Sequence, residues 1–436
     1  MLVIKLVKFH IFQYFKKDID YGLACFSIGI FLLPSAFFIA TLFLLYSSVD
    51  SSIKNRKENY FLKDRINISF LSAGLLIIIS TLMQSFGKQN LNAYNYDLSL
   101  TWAGLFNWIP FFWLYWAFKP FLNTPGKRKR CCILLLTGTS PVILTGLGQV
   151  FFNWHGPLST LNGLIIWYQR PIEIVKGLTG LFNNQNYAGA WLNVVWPFAL
   201  ALLIELRKET LKKISAFLFI FGLSLSIVLT YSRSAWLGIF SGSILFFGKK
   251  SFNTIKIISI FTILILIASI HPLLRQYISS FGSIIIPANI ISEFTDFQYS
   301  RIGIWLKGIE TIFNYPFFGS GAGSFPYIFE NATGLWKGHA HNLPLELIIS
   351  YGIPAGILVL GPVSYLTIFS IKEIIFKKEA MQNFLFDKAW TVSLVVLLLS
   401  QMLDVQYFDG RISIVLWVLI AGTRNIISEK NKILRE

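Results

Sequence analysis

Residues Leu343–Ser370, LPLELIISYGIPAGILVLGPVSYLTIFS, form a long apolar run whose only charged residue is Glu346. A helix needs about 20 such residues to cross a hydrocarbon core, and this run exceeds that length. Directly before it stands Gly338-His339-Ala340-His341-Asn342, which holds two of the chain's five histidines. The stretch therefore reads as a membrane helix with a pair of titratable rings at its lip.

Runs of the same kind recur along the chain. Of 436 residues, 54% are hydrophobic and only 14% charged, against roughly 25% charged in soluble domains; the mean hydropathy is +0.61. The expected fold class is an all-α polytopic membrane protein. A net charge of +17 in a soluble chain would suggest nucleic acid. Here the basic residues gather in short connections between apolar runs, so the charge reports orientation and no nucleic-acid partner is expected. Cys25, Cys131 and Cys132 sit in or beside apolar segments without metal-ligand spacing. Lysines interrupt the N-terminal apolar residues, and no cleavable leader is expected.

Basic clusters at 54–65, 127–130, 207–213, 249–250, 372–378 and 424–435 are assigned to the cytoplasm. Spans are then expected at 67–87, 98–118, 131–152, 186–205, 214–231, 234–248, 254–272, 343–370, 389–405 and 411–426. The run 21–48 has basic residues on both flanks, which one crossing cannot satisfy, so a hairpin broken at Pro34-Ser35 is expected. The total is about twelve helices, with both termini inside. The whole chain, 1–436, is read as a single membrane domain. A first external segment covers 153–185, and a larger periplasmic loop covers 273–342 and caps the outer face.

Several outer residues stand out against this background. Arg233, in Tyr231-Ser232-Arg233-Ser234-Ala235-Trp236, joins two apolar spans with almost no loop. An arginine at that depth is costly unless it faces water or an anion. Arg301 opens a segment in which Ile302, Trp305, Ile309 and Ile312 make a helical stripe, the pattern of a helix lying along the membrane surface. Two guanidinium forks on one site would suit a diphosphate. Asn183, Asn184 and Asn186 open another span: one is suited to cap the helix, and Asn186 to face a polar cavity. Gly319-Ser320-Gly321-Ala322-Gly323 has no preceding strand and is read as a flexible turn, not a nucleotide loop. Asp404 and Asp409 are also on the outer side, where either an interfacial cap or a histidine partner is open. His339 and His341 lack a third and fourth ligand at metal spacing, so no metal and no cofactor is expected. Near-neutral titration makes either histidine a natural general base.

In chain order these pieces are Thr179-Gly180-Leu181-Phe182 to Asn186, Ser232-Arg233-Ser234-Ala235-Trp236, Arg301 with Trp305, Pro316 through Phe325, and His339-Ala340-His341-Asn342 followed by Gly352-Ile353-Pro354-Ala355-Gly356. The order resembles that of the O-antigen ligase and polymerase superfamily over about 170–360. The resemblance implies a metal-independent glycosyltransferase of the inner membrane with its active site on the periplasmic side. Its donor would be a glycan on undecaprenyl diphosphate, and its acceptor a lipid-linked glycan or another glycan. It further implies that Arg233 and Arg301 hold the diphosphate and that His341, with His339 second, is the catalytic base. Asn186 and Asn183 are the expected substrate-binding amides. A branch of the superfamily linked to inorganic-carbon accumulation leaves an anion-transporter reading as the alternative, although related halves and midplane polar sites are not evident.

Overall fold

The computed structural model describes residues 20–55, 61–86, 96–248, 301–376 and 384–433. The expected span 254–272 and the 273–300 part of the expected periplasmic loop lie outside these residues. The first two helices, α1 (Tyr21–Leu32) and α2 (Phe37–Asn55), form a packed hairpin. Its turn falls at Pro34-Ser35, where the ring removes a backbone donor. Asp20 caps α1 and pairs with Lys54 at the end of α2, so both helices return to the same side.

Next come α3 (Arg65–Phe86), the short α4 (Ser99–Leu105) and α5 (Ile109–Phe118), and the bent pair α6 (Pro125–Gly138) and α7 (Ser140–Phe152). An antiparallel pair, β1 (Leu158–Thr160) and β2 (Ile165–Trp167), follows outside the bundle, with Leu158 opposite Trp167. Trp167 fastens it by donating from Nε1 to the Ser35 carbonyl at 2.7 Å. The remaining helices are α8 (Gln185–Glu205), α9 (Thr210–Leu229), α10 (Arg233–Phe247), α11 (Arg301–Asn314), α12 (Phe325–Thr333), α13 (Leu343–Ser370), α14 (Leu385–Gln401) and α15 (Gly410–Ile433). Helices α8 and α15 form the centre, with 78% of each span's apolar window buried, whereas α2 and α9 bury 28% and face outward. Trp191, Trp390 and Trp417 fill the middle.

Among the described residues, seven helices are long and apolar enough to cross a membrane. That is fewer than the twelve expected. The segment 98–118 breaks into α4 and α5, α10 has 15 residues and α14 has 17. At 1.5 Å per residue these last two reach about 22 and 26 Å, short of a core of about 30 Å. Helix α14 nevertheless lies against α8, α10 and α15, where protein replaces lipid.

The two ends of the bundle have different chemistry. At one end, Arg128 is fully buried and grips Asp387 (2.7 and 2.8 Å) and Glu429 (3.0 and 2.8 Å), tying α6, α14 and α15 together. Lys119 and Arg424 share Asp64 nearby. The cluster at 127–130, expected in a short connection before the span 131–152, occupies the first turns of α6, whose start Thr124 caps by accepting from Lys127 N–H. The other end gathers the β-hairpin, α11, α12 and the starts of α8, α10 and α13.

Helix α13 is broken at Gly352, whose φ of 86° leaves the helical region. The freed Ile349 and Ser350 carbonyls accept from Ser320 and Gly321 N–H at 2.8 and 3.1 Å, and Ile353 N–H donates to Pro316 O at 2.8 Å. Irregular backbone in a membrane bundle must be satisfied by protein, and the 316–324 segment does this for α13. Gly319, Gly321 and Gly323 all take positive φ. Gln84 and Ser80 add side-chain bonds to the Gly319 and Phe318 carbonyls. The glycine segment is therefore a locked insert in a helix break, not the flexible turn its composition suggested.

Helix α11 also departs from expectation. Its buried face is Ile304, Gly308 and Thr311, with Gly308 against Leu345 and Ile349 of α13. Ile302 and Ile309, two members of the expected stripe, are exposed, while Trp305 and Ile312 are partly buried against the small core around Phe325 and Phe329.

Candidate active site

Three elements bring polar groups to one point at this second end. The first is the 338–342 turn before α13. Asn342 caps α13 by accepting from Leu345 N–H at 2.9 Å, and Pro344 sits in the first turn, where a missing N–H costs nothing. Asn342 Nδ2 also donates to the Met402 carbonyl at 3.1 Å, which ties this turn to the one after α14. His341 is held at φ 49°, a left-handed position that non-glycine residues rarely take.

The second element is the turn after α14, which carries Asp404. The third is the start of α8, where Asn184 is the cap, accepting from Asn186 N–H at 2.7 Å. Asn186 Nδ2 then donates to Asp404 Oδ2 at 3.0 Å. Asp404 Oδ1 lies 3.0 Å from His341 Nδ1 and 3.7 Å from His339 Nε2, and accepts from Val405 N–H. Asp404 is 8% exposed at the side chain, His339 20% and His341 29%. Burial alone would raise the Asp404 carboxyl, but the His341 hydrogen bond and the neighbouring histidine charges hold it below the ordinary range. It is therefore a carboxylate, which can only accept.

That fixes the protons. With a carboxylate at Asp404, His341 carries a ring proton on Nδ1, and in the neutral tautomer that this selects Nε2 is bare. His339 is set the other way. His341 N–H donates to His339 Nδ1 at 3.1 Å, so the neutral His339 ring carries its proton on Nε2, toward Asp404. Burial pushes His339 down to about 4, helped by the charges of His341 and Arg301 and opposed by Asp404.

His339, His341 and Asp404 also present three ligand-type atoms within 4.8 Å of one another. The sequence offered no such set because its third member lies 63 residues from His341. In the hydrogen-bonded arrangement, the His339 nitrogen facing Asp404 bears the ring hydrogen and its other nitrogen accepts from the His341 N–H. A histidine paired through Nδ1 with a carboxylate is also an arrangement that can orient a base.

The sequence-predicted residues divide as follows. His339, His341 and Asn186 meet at Asp404, and Arg301 is near enough for its charge to act on His339. Arg233 is exposed at the first position of α10. A side chain at Gly189 of α8 would meet Ser232 and Ala235, so Arg233 sits about one turn of α8 from Asn186. Asn183 is exposed and does not join the cluster; the cap is Asn184. Thr179 and Gly180 are structural: Gln149 Oε1 accepts from both N–H groups, at 2.9 and 3.2 Å. Asp409 is held by Arg411, which also donates to the Leu181 carbonyl. Asp404 is the member that sequence reasoning only half found. Its one signal was an acid on the same side as the histidines.

Residues 216–360, about a third of the chain, match the family model described as O-antigen ligase. The match contains Arg233, Arg301, His339 and His341, and ends before Asp404. Comparison with curated proteins gives no match.

Proposed function

We propose, from the match of residues 216–360 to the O-antigen ligase family model, that this member of the O-antigen ligase and polymerase superfamily is a membrane glycosyltransferase. It moves a glycan from undecaprenyl diphosphate to an acceptor hydroxyl at the periplasmic end of the bundle, in the inner membrane. The observation that carries this reading is the His341 Nδ1 to Asp404 hydrogen bond at 3.0 Å, which leaves Nε2 as a base.

In the proposed reaction, Nε2 of His341 takes the proton of the acceptor hydroxyl as that oxygen attacks the anomeric carbon of the donor sugar. The bond from that carbon to the diphosphate oxygen breaks, and the diphosphate leaves with its electron pair. Asp404 stabilises the imidazolium that forms. Arg233 and Arg301 hold the growing negative charge of the leaving group, as guanidinium forks do for phosphate oxygens. A positioned base contributes about 10²–10⁴-fold. The inside-basic rule supports the sidedness: the end opposite the histidines holds Lys54, Lys119, Lys127, Lys129 and Arg424.

Surface-glycan profiling of a deletion strain, complemented with wild type or His341→Ala at matched protein levels, tests the reading. A ligase leaves long carrier-linked glycan unattached when deleted; a polymerase leaves single repeat units. His341→Ala reproduces the deletion. An unchanged glycan profile on deletion overturns the transferase reading.

A further inference from the structure

A half-enclosed cavity of about 140 Å³ lies between the α4–α5 connection and the outer half of α13, with Phe408 at its rim. A single water needs only about 10–15 Å³ of such space, so the cavity is sized for a larger occupant. Its walls include Asn107, Trp108, Glu346 and Tyr351. The Tyr351 hydroxyl is buried and, among the described residues, has no hydrogen-bond partner. Glu346 is 4% exposed; its Oε2 accepts from Ala340 N–H at 2.8 Å, between the two histidines. A methyl group at Gly104 would come within 2.6 Å of the Tyr351 hydroxyl oxygen and 2.3 Å of the Ala322 side chain. The space at that hydroxyl therefore depends on a residue with no side chain.

The lining selects among occupants. An alkyl chain would leave the buried Tyr351 hydroxyl without a partner, at roughly 1–3 kcal/mol. A phosphate would meet Glu346 and no Lys or Arg, since neither lines the cavity. A neutral ring bearing hydroxyls meets both needs: donors and acceptors for Glu346, Tyr351 and Asn107, and apolar C–H faces for Trp108 and Phe408.

We propose that this cavity is a subsite for one sugar unit of the acceptor glycan, adjacent to the unit whose hydroxyl His341 deprotonates. The proposal rests on the glycosyl-transfer reading above. The acceptor is favoured over the donor because Leu343 and Glu346, in the first turn of α13 just after His341, line the cavity and Glu346 holds the Ala340 N–H between the histidines, while Arg233 stands at the start of α10 on the far, α8 side of Asp404.

The test places the photoreactive residue p-benzoylphenylalanine at Phe408 and, separately, at Leu100, which also lines the cavity, in the native host making its own glycans. After irradiation the protein is isolated and its adducts are read by mass. The expected adduct is a glycan that survives mild acid, and Tyr351→Phe lowers its yield at least about fivefold at equal protein level. An adduct that carries a lipid diphosphate, which mild acid splits off at the anomeric carbon while the glycan stays on the protein, is donor and overturns the assignment; an acyl-chain adduct, or none from either position, overturns the subsite. Transfer is scored separately. Glycan capture retained in His341→Ala with transfer lost supports both readings, while capture retained with transfer intact removes the base and leaves the subsite standing.

Discussion

Asp404 accepts a hydrogen bond from His341 Nδ1 at 3.0 Å and a second from Asn186 Nδ2 at 3.0 Å, joining the starts of α13 and α8 through the turn after α14. One carboxylate thus sets the proton position of the proposed base and anchors the helix that leads toward Arg233.

Replacing that carboxylate with an amide should be nearly as damaging as removing the base. Asp404→Asn keeps the size but can donate to Nδ1, turning the proton to Nε2, where it blocks catalysis. The expected loss in transfer rate is about 10²–10³-fold, close to that of His341→Ala, with the double variant no worse than either single one. Single-turnover rates in lipid nanodiscs would check this; an additive double variant would sink the proposed coupling.

His339 should titrate near pH 4, well below the ordinary histidine value of 6.5. Its folded pKa lies below the unfolded one, so between these values the unfolded chain binds more protons. The stability from a neutral His339 is present above about pH 6.5 and is lost as pH falls toward about 4. Melting curves across that window should fall less steeply for His339→Asn than for wild type, and isotope-edited NMR of the ring reports the midpoint directly.

Arg233 and Arg301, if they share one diphosphate, should behave as a coupled pair. Each alanine variant should lower kcat/KM for the donor by about 10–100-fold, and the double variant should cost less than the product of the two. Lysine should rescue neither fully, because a point charge cannot make the forked contact. Independent, fully multiplicative losses would separate the two sites.

Gly319→Ala and Gly352→Ala should destabilise far more than Gly323→Ala. All three positions have positive φ, but a side chain at Gly319 would lie 2.4 Å from backbone of Ser350 and Tyr351, and one at Gly352 would lie 2.2 Å from Phe317 O. Gly323 would meet only the flexible Leu100 side chain, at 3.4 Å, leaving backbone strain of roughly 1–2 kcal/mol. Detergent-resistance assays should show the two severe variants aggregating at temperatures where Gly323→Ala survives.

Arg128→Ala should destabilise by about 3–5 kcal/mol, since it strands the buried Asp387 carboxylate and the partly buried Glu429. Lys129→Ala, one residue on, removes an exposed pair with Glu205 and should cost no more than about 1 kcal/mol. Unfolding in mixed micelles would measure both.

The sequence by itself determined the membrane class, the hairpin at Pro34-Ser35 and an asparagine cap at the start of α8. These follow from local quantities: apolar run length, a missing backbone donor, the spacing of basic clusters and the chemistry of a helix start. Only the tertiary structure decided that Asp404 and Asn186 meet His341, that Arg128 is buried between two acids in place of facing solvent, and that the glycines of 319–323 are locked into the break in α13. Each depends on which side chains from distant helices arrive at one point, and a charge or glycine carries no mark in the sequence of the partner it will meet. The same reason explains the exposed Ile302 and Ile309 on α11. A helix with apolar residues on two faces does not say which face the bundle will take, and the small Gly308, admitting Leu345 and Ile349, made the choice.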